Sequence, residues 1–128
     1  MMNDVRVLYQ KLMDAKPLLE QALERGIGTH DFEDIKDAVM TGSMQLWTLD
    51  STAAVTEIIQ YPRFKAVVVV LAAGEMSELV EAIPELEEFS RIVGAQRILI
   101  CGRLGWLRAL KEHGFESAQA WAMKGVTS

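Results

Sequence analysis

Five consecutive apolar residues, Val67-Val68-Val69-Val70-Leu71, lie in the middle of this 128-residue chain, within an apolar stretch from Ala66 to Gly74. Four of the five are β-branched, which crowds a helix and suits a pleated strand. No polar residue alternates with them, so a strand from Phe64 to Ala73 must be covered on both faces. The stretch is too short to span a bilayer, so the cover has to come from the rest of the chain. A layered α/β domain built around this strand follows.

The flanking sequence supplies the layers. From Val5 to Leu23 the residues Val5, Leu8, Leu12, Ala15, Leu19 and Leu23 recur at steps of three and four, the spacing of one helix face. Pro17 removes a backbone donor there, so the region is two short helices or one kinked helix, ended by Gly26 and Gly28. Asp31 is placed to cap a second helix carrying Phe32, Ile35, Val39 and Met40, with Asp34 in its first turn and Gly42 at its end. Ser43 to Asp50 reads as a half-buried strand, Asp50-Ser51-Thr52 as a hairpin turn and Ala53 to Gln60 as the returning strand.

After Gly74 the period returns to 3.6, with Leu79, Val80, Ile83, Leu86, Phe89 and Val93 along one side. Pro84 predicts a kink or restart in this helix, and Gly94 its end. Arg97 to Cys101 is expected to be a second buried strand, Leu104 to His113 a helix, and Phe115 to Lys124 a last strand. The helix between the two buried strands makes them a parallel crossover, whereas the hairpin makes the start of the sheet antiparallel. The expected fold is a mixed, partly parallel central sheet with helices on both faces. It forms one domain over 1–128, an N-terminal helical region at 1–28 preceding the sheet and helices of 29–128.

Composition narrows the partners. Thirteen Lys plus Arg against eighteen Asp plus Glu leave a net charge of −5, which gains little from counterion release on a polyanion, so direct nucleic-acid binding is not expected. Cys101 is the sole cysteine, and with only His30 and His113 beside it there is no Cys/His set at metal-ligand spacing. No basic region followed by an apolar run opens the chain, so a soluble cytoplasmic protein is expected.

Three stretches carry a resemblance to a known family: the strand ending at Leu71-Ala72-Ala73-Gly74, the segment from Leu86 to Gly94, and Gly102 to Phe115 with its Lys111-to-Phe115 ending. Together with the order of elements they resemble the GNAT acyltransferase superfamily over about Asp31 to Val126. Asp31 to Trp47, a short helix, a glycine and then Gln45-Leu46-Trp47, is similar to small GNAT-like proteins of tailed bacteriophages and prophages. That resemblance adds the virion as a location for a structural phage protein.

The resemblance implies acetyl-CoA as cofactor, held where glycines let backbone N–H groups approach a pyrophosphate at a helix N-terminus. The corresponding segment here is Ala72-Ala73-Gly74-Glu75-Met76-Ser77-Glu78. It keeps one glycine, lacks the family's amide or basic lead residue, and brings in two carboxylates; two anions ~5 Å apart repel by ~3 kcal/mol at an effective dielectric of ~20. If an acyl-CoA binds, position assigns Leu71, Ala72 and Ala73 to its pantetheine arm and Gly74 and Met76 to its phosphates. The family's general-acid Tyr falls on Leu110 and its Asn near Arg103, so neither role is filled.

From the residues themselves, Glu57 is the one weak candidate for a general base. Glu75, Glu78, Glu81, Glu85 and Glu88 read as a solvated stripe. His113 suits a helix C-terminus and His30 a polar turn. Cys101 reads as an inert apolar residue at a buried strand end. Trp47 and Trp121 read as core or core-edge residues, and Trp106 between Arg103 and Arg108 as a cationic patch. The expectation is therefore a GNAT-like protein with a degenerate cofactor loop, a non-catalytic binding or assembly role and a protein partner or homo-oligomer. The alternative is a small N-acetyltransferase moving acetyl from acetyl-CoA to an amine.

Overall fold

The computed structural model describes residues 2–102 and 104–126. The elements run α1 (Met2–Arg25), α2 (Phe32–Thr41), β1 (Met44–Thr48), β2 (Ala53–Gln60), β3 (Lys65–Ala73), α3 (Met76–Ile92), β4 (Arg97–Ile100) and α4 (Leu104–Leu110), with a 3-10 turn over Lys111–His113. The strands lie in chain order, β1-β2-β3-β4. β1 and β2, and β2 and β3, pair antiparallel, and β3 and β4 pair parallel. This is the mixed sheet that the sequence predicts.

Helix α1 is one continuous helix with Pro17 inside it. Its buried stripe, Leu12, Ala15 and Leu19, meets Phe32, Ile35 and Val39 of α2 and Met44, Ala53 and Val55 of the sheet in a single core. A reciprocal cap fixes the start of α2: the Asp31 carboxylate accepts from the Asp34 N–H at 2.9 Å, and the Asp34 carboxylate accepts from the Asp31 N–H at 3.0 Å. Two donors with no partner inside the helix are satisfied this way. Gly42 then ends α2 in the left-handed region, at φ 87°.

On the opposite face α3 runs through Pro84 without restarting. Its C-terminus closes with Gly94 N–H on the Arg91 carbonyl and Ala95 N–H on the Ser90 carbonyl, Gly94 taking φ 77°. The Lys65 ammonium donates to the Val93 carbonyl at 3.0 Å, placing positive charge where the helix dipole favours it.

β3 contains a bulge. Val55 pairs with Leu71 but the next residue of β2, Thr56, pairs with Val69, so Val70 is extra. One added residue bends a strand and reverses the side-chain alternation beyond it. Val70 and Leu71 accordingly both pack towards the α1–α2 core, and Val69 and Ala72 both face α3.

Four expectations fail. Phe115 to Lys124 is not a strand: no described residue after Gly114 belongs to a helix or strand, and Glu116 to Val126 are all exposed. Trp121, 78% exposed, is therefore no core residue. Cys101 lies beyond the end of β4 and is exposed rather than buried. β4 itself is only half-buried. The common physical reason is that the pattern of a strand specifies a face, whereas the strand forms only if another strand stands beside it.

Candidate functional site

β3 outruns its parallel partner. The ladder with β4 ends at Val69 opposite Ile100, while β3 continues to Ala73. Val70 to Ala73 therefore have no strand on their β4 side among the described residues. Beside this edge lies an apolar cavity of about 90 Å³ between the sheet and the helices α3 and α4. Trp47, Ala54, Val69 and Ala72 form its sheet wall, and Met76, Ile83, Leu86, Trp106 and Leu110 its helix wall.

One half-buried polar chain runs through the sheet wall. Trp47 Nε1–H donates to Thr56 Oγ1 at 2.9 Å, and that hydroxyl donates onward to Gln45 Oε1 at 2.8 Å. Thr56 is 1% exposed, so its hydroxyl depends wholly on these two bonds. The Trp47 ring meets Phe89 of α3 edge-on, centroids 5.4 Å apart, which makes it the core-edge residue expected from the sequence. Strand alternation puts Gln45 and Trp47 on one face, but only the register reveals that Thr56 lies between them.

At the end of β3 the chain turns at Gly74, with φ 123°. The β1–β2 turn presses on this glycine: a Cβ there would collide with the Ser51 carbonyl oxygen and come 2.6 Å from Thr52 Oγ1. The Glu75 N–H donates to Thr52 Oγ1 at 2.8 Å, and the Glu78 carboxylate accepts the Ser51 N–H at 2.9 Å. The start of α3 is thus tied to the hairpin turn by groups on both sides. Thr52, 1% exposed, was not singled out by its type or neighbours in the sequence; its role depends on two turns 23 residues apart meeting in space.

The sequence-derived positions distribute as follows. Leu71, Ala72 and Ala73 lie on the outrunning end of β3, Gly74 in the turn, and Met76 at the first position of α3. Leu110, where the family would carry its proton donor, is 3% exposed and lines the cavity. Glu57 is not with them. It pairs across the strands with Met44, a residue of the α1–α2 core, and so lies on the face of the sheet opposite the cavity. The Asn-equivalent position, Arg103, lies outside the described residues. Trp106 lines the cavity, rather than standing wholly as an outward patch. Among the described residues no three His, Cys, Asp or Glu side chains gather as a metal site, and no helix is long and apolar enough to cross a membrane.

A mixed sheet whose parallel pair ends short of a turn and a helix start, with helices on both faces, is a fold that solved acetyltransferases share. Solved structures bear this out. An acetyltransferase from Trypanosoma brucei superposes with a TM-score of 0.63 at 13% identity, over 92% of this chain and 94% of that one. A predicted acetyltransferase with acetyl-CoA from Clostridium acetobutylicum gives 0.61 at 12% identity, over 98% of this chain and 92% of that one. A ribosomal-protein-alanine N-acetyltransferase from Brucella melitensis biovar Abortus gives 0.60 at 9%, over 94% and 95%. At these identities the likeness is one of fold. No family model matches the chain, and no curated protein matches it by sequence.

Proposed function

We propose that this chain is a GNAT-fold binding or assembly protein in which the cofactor loop is degenerate, a phage or prophage protein that does not carry out acetyl transfer. The observation that carries this reading is the state of the α3 start. Gly74, the one glycine of the loop, is packed against the β1–β2 turn, the Glu75 N–H is bonded to Thr52, and the Glu78 carboxylate stands at the Ser51 N–H. A diphosphate needs free N–H groups and positive field at such a turn. Here it would meet one donor already engaged and two carboxylates, so these residues do not fit the diphosphate of acetyl-CoA. A buried leucine at position 110 adds that no proton donor stands where the fold's acid would be.

One observation favours the alternative of a small N-acetyltransferase. The Val70–Ala73 end of β3 has no β4 partner and borders an apolar cavity, which suits an amide-bearing arm that pairs with a strand edge. Thermal melting of the purified chain with excess acetyl-CoA separates the two. The proposed reading expects an unmoved transition. A ligand at ~100 times its dissociation constant stabilises the fold by ~2.7 kcal/mol, and an upward shift of that order overturns the proposed reading.

A further inference from the structure

The cavity between the sheet and α3 is larger than ordinary packing leaves. Voids inside folded proteins are seldom larger than a water molecule, whereas this one measures about 90 Å³. Its origin is visible in the residues that face it. Across the strands Ala54 stands between Trp47 on one side and Ala72 on the other, so two alanines lie side by side in one row of the sheet wall. Ala82 of α3 lines the same hole from the helix side. Three small side chains from three elements thus leave open what one longer side chain would close.

The walls decide what can enter. A buried water needs two to four polar partners. Here the polar atoms of the wall hold one another: the Trp47 N–H is engaged by Thr56, the Thr56 hydroxyl by Gln45, and Thr52 Oγ1 by the N–H and carbonyl of Glu75. Among the described residues no buried side-chain nitrogen or oxygen lacks a partner. A polar guest would give up its water contacts and find no replacement, whereas an apolar guest gives up nothing. The indoles of Trp47 and Trp106 add flat walls of the kind that aromatic rings pack against. The hole is also reachable. Thr48, Leu49 and Glu85 line it and are all exposed, so it opens at the surface between the end of β1 and the middle of α3.

We infer that this cavity is a binding site for a small uncharged apolar molecule, a single aromatic ring or a short hydrocarbon. The upper size follows from a comparison: an engineered apolar cavity of ~150 Å³ stays dry and takes up benzene or xenon, and the present one is smaller. Benzene is therefore the limit, and xenon lies within it. This ligand class rests on the binding role proposed above, but its test uses no acetyl-CoA, so either can fail without the other.

The test follows the three tryptophans of the full chain by the indole N–H signals of its nitrogen-15 spectrum, with Trp121→Phe identifying the exposed one. Xenon and benzene, added separately, are expected to move the Trp47 and Trp106 signals saturably and to leave Trp121 in place. Benzene is also expected to raise the melting temperature by about 2 °C or more, since a ligand held only by the folded state stabilises it. Pyridine, a ring of the same size with a nitrogen acceptor, is expected to bind at least about tenfold more weakly. Ala82→Leu and Ala54→Val each fill part of the hole and are expected to weaken the xenon response at least about tenfold with the helical circular dichroism unchanged. If neither variant folds, the contrast between benzene and pyridine decides. Silence of Trp47 and Trp106 towards both guests, an equal response of Trp121, equal binding of pyridine, or an undiminished response in the folded filled variants each overturns the proposal.

Discussion

At the scale of single residues, the two glycines Gly74 and Gly114 make a matched pair. Both have positive φ, 123° and 88°, but a Cβ at Gly74 would strike the β1–β2 turn, whereas at Gly114 nothing lies within 4 Å. Gly114→Ala should cost only the backbone strain, ~1–2 kcal/mol. Gly74→Ala adds a backbone collision to the strain and should exceed ~3 kcal/mol, a difference that urea unfolding of the two variants resolves. Thr56→Val keeps the shape of the side chain and removes the hydroxyl that joins Trp47 to Gln45. Leaving these partners unsatisfied in a half-buried wall should destabilise by ~1–3 kcal/mol, with a change in Trp fluorescence that marks Trp47 as the affected group.

At the scale of elements, the cap on α2 is the clearest case of local sequence dictating structure. Asp31→Ala removes a bond to the Asp34 N–H and should cost ~1 kcal/mol by denaturant unfolding. Asp31 was legible as a cap because it stands directly before the apolar run, though Asp34 was read only as first-turn charge; α1, β3 and α3 were legible because their periods are written in contiguous residues. Pro17 and Pro84 were each read as a kink or a break, and both lie inside single helices, because tertiary packing along the rest of each helix outweighs one missing donor. Thr52 and the Trp47–Thr56–Gln45 chain were not legible. Their roles come from register and from turns meeting across the sheet, which no single stretch encodes. Glu57 shows the same limit: its type suggested chemistry, but strand pairing puts it on the other face from the cavity.

At the scale of the whole molecule, the order of the elements was readable as a GNAT-like fold, while the last strand was not, since its partner is not fixed by its own residues. The two faces of the sheet differ in the same way: the α1–α2 side is a closed core, and the α3 side holds the cavity. A buried tryptophan replaced by alanine costs ~3–5 kcal/mol. Trp121→Ala should instead change unfolding by less than ~0.5 kcal/mol, because the ring is 78% exposed.

The extra residue in β3 has a genetic consequence. Because Val67 to Val70 are identical, losing any one codon of the four yields the same shorter polypeptide. In that polypeptide Thr56 and Val55 would face consecutive residues, so the antiparallel ladder would survive the loss intact. The bend would vanish with the extra residue. The reversal of side-chain facing between Val69 and Ala72 is thus one codon away from being undone.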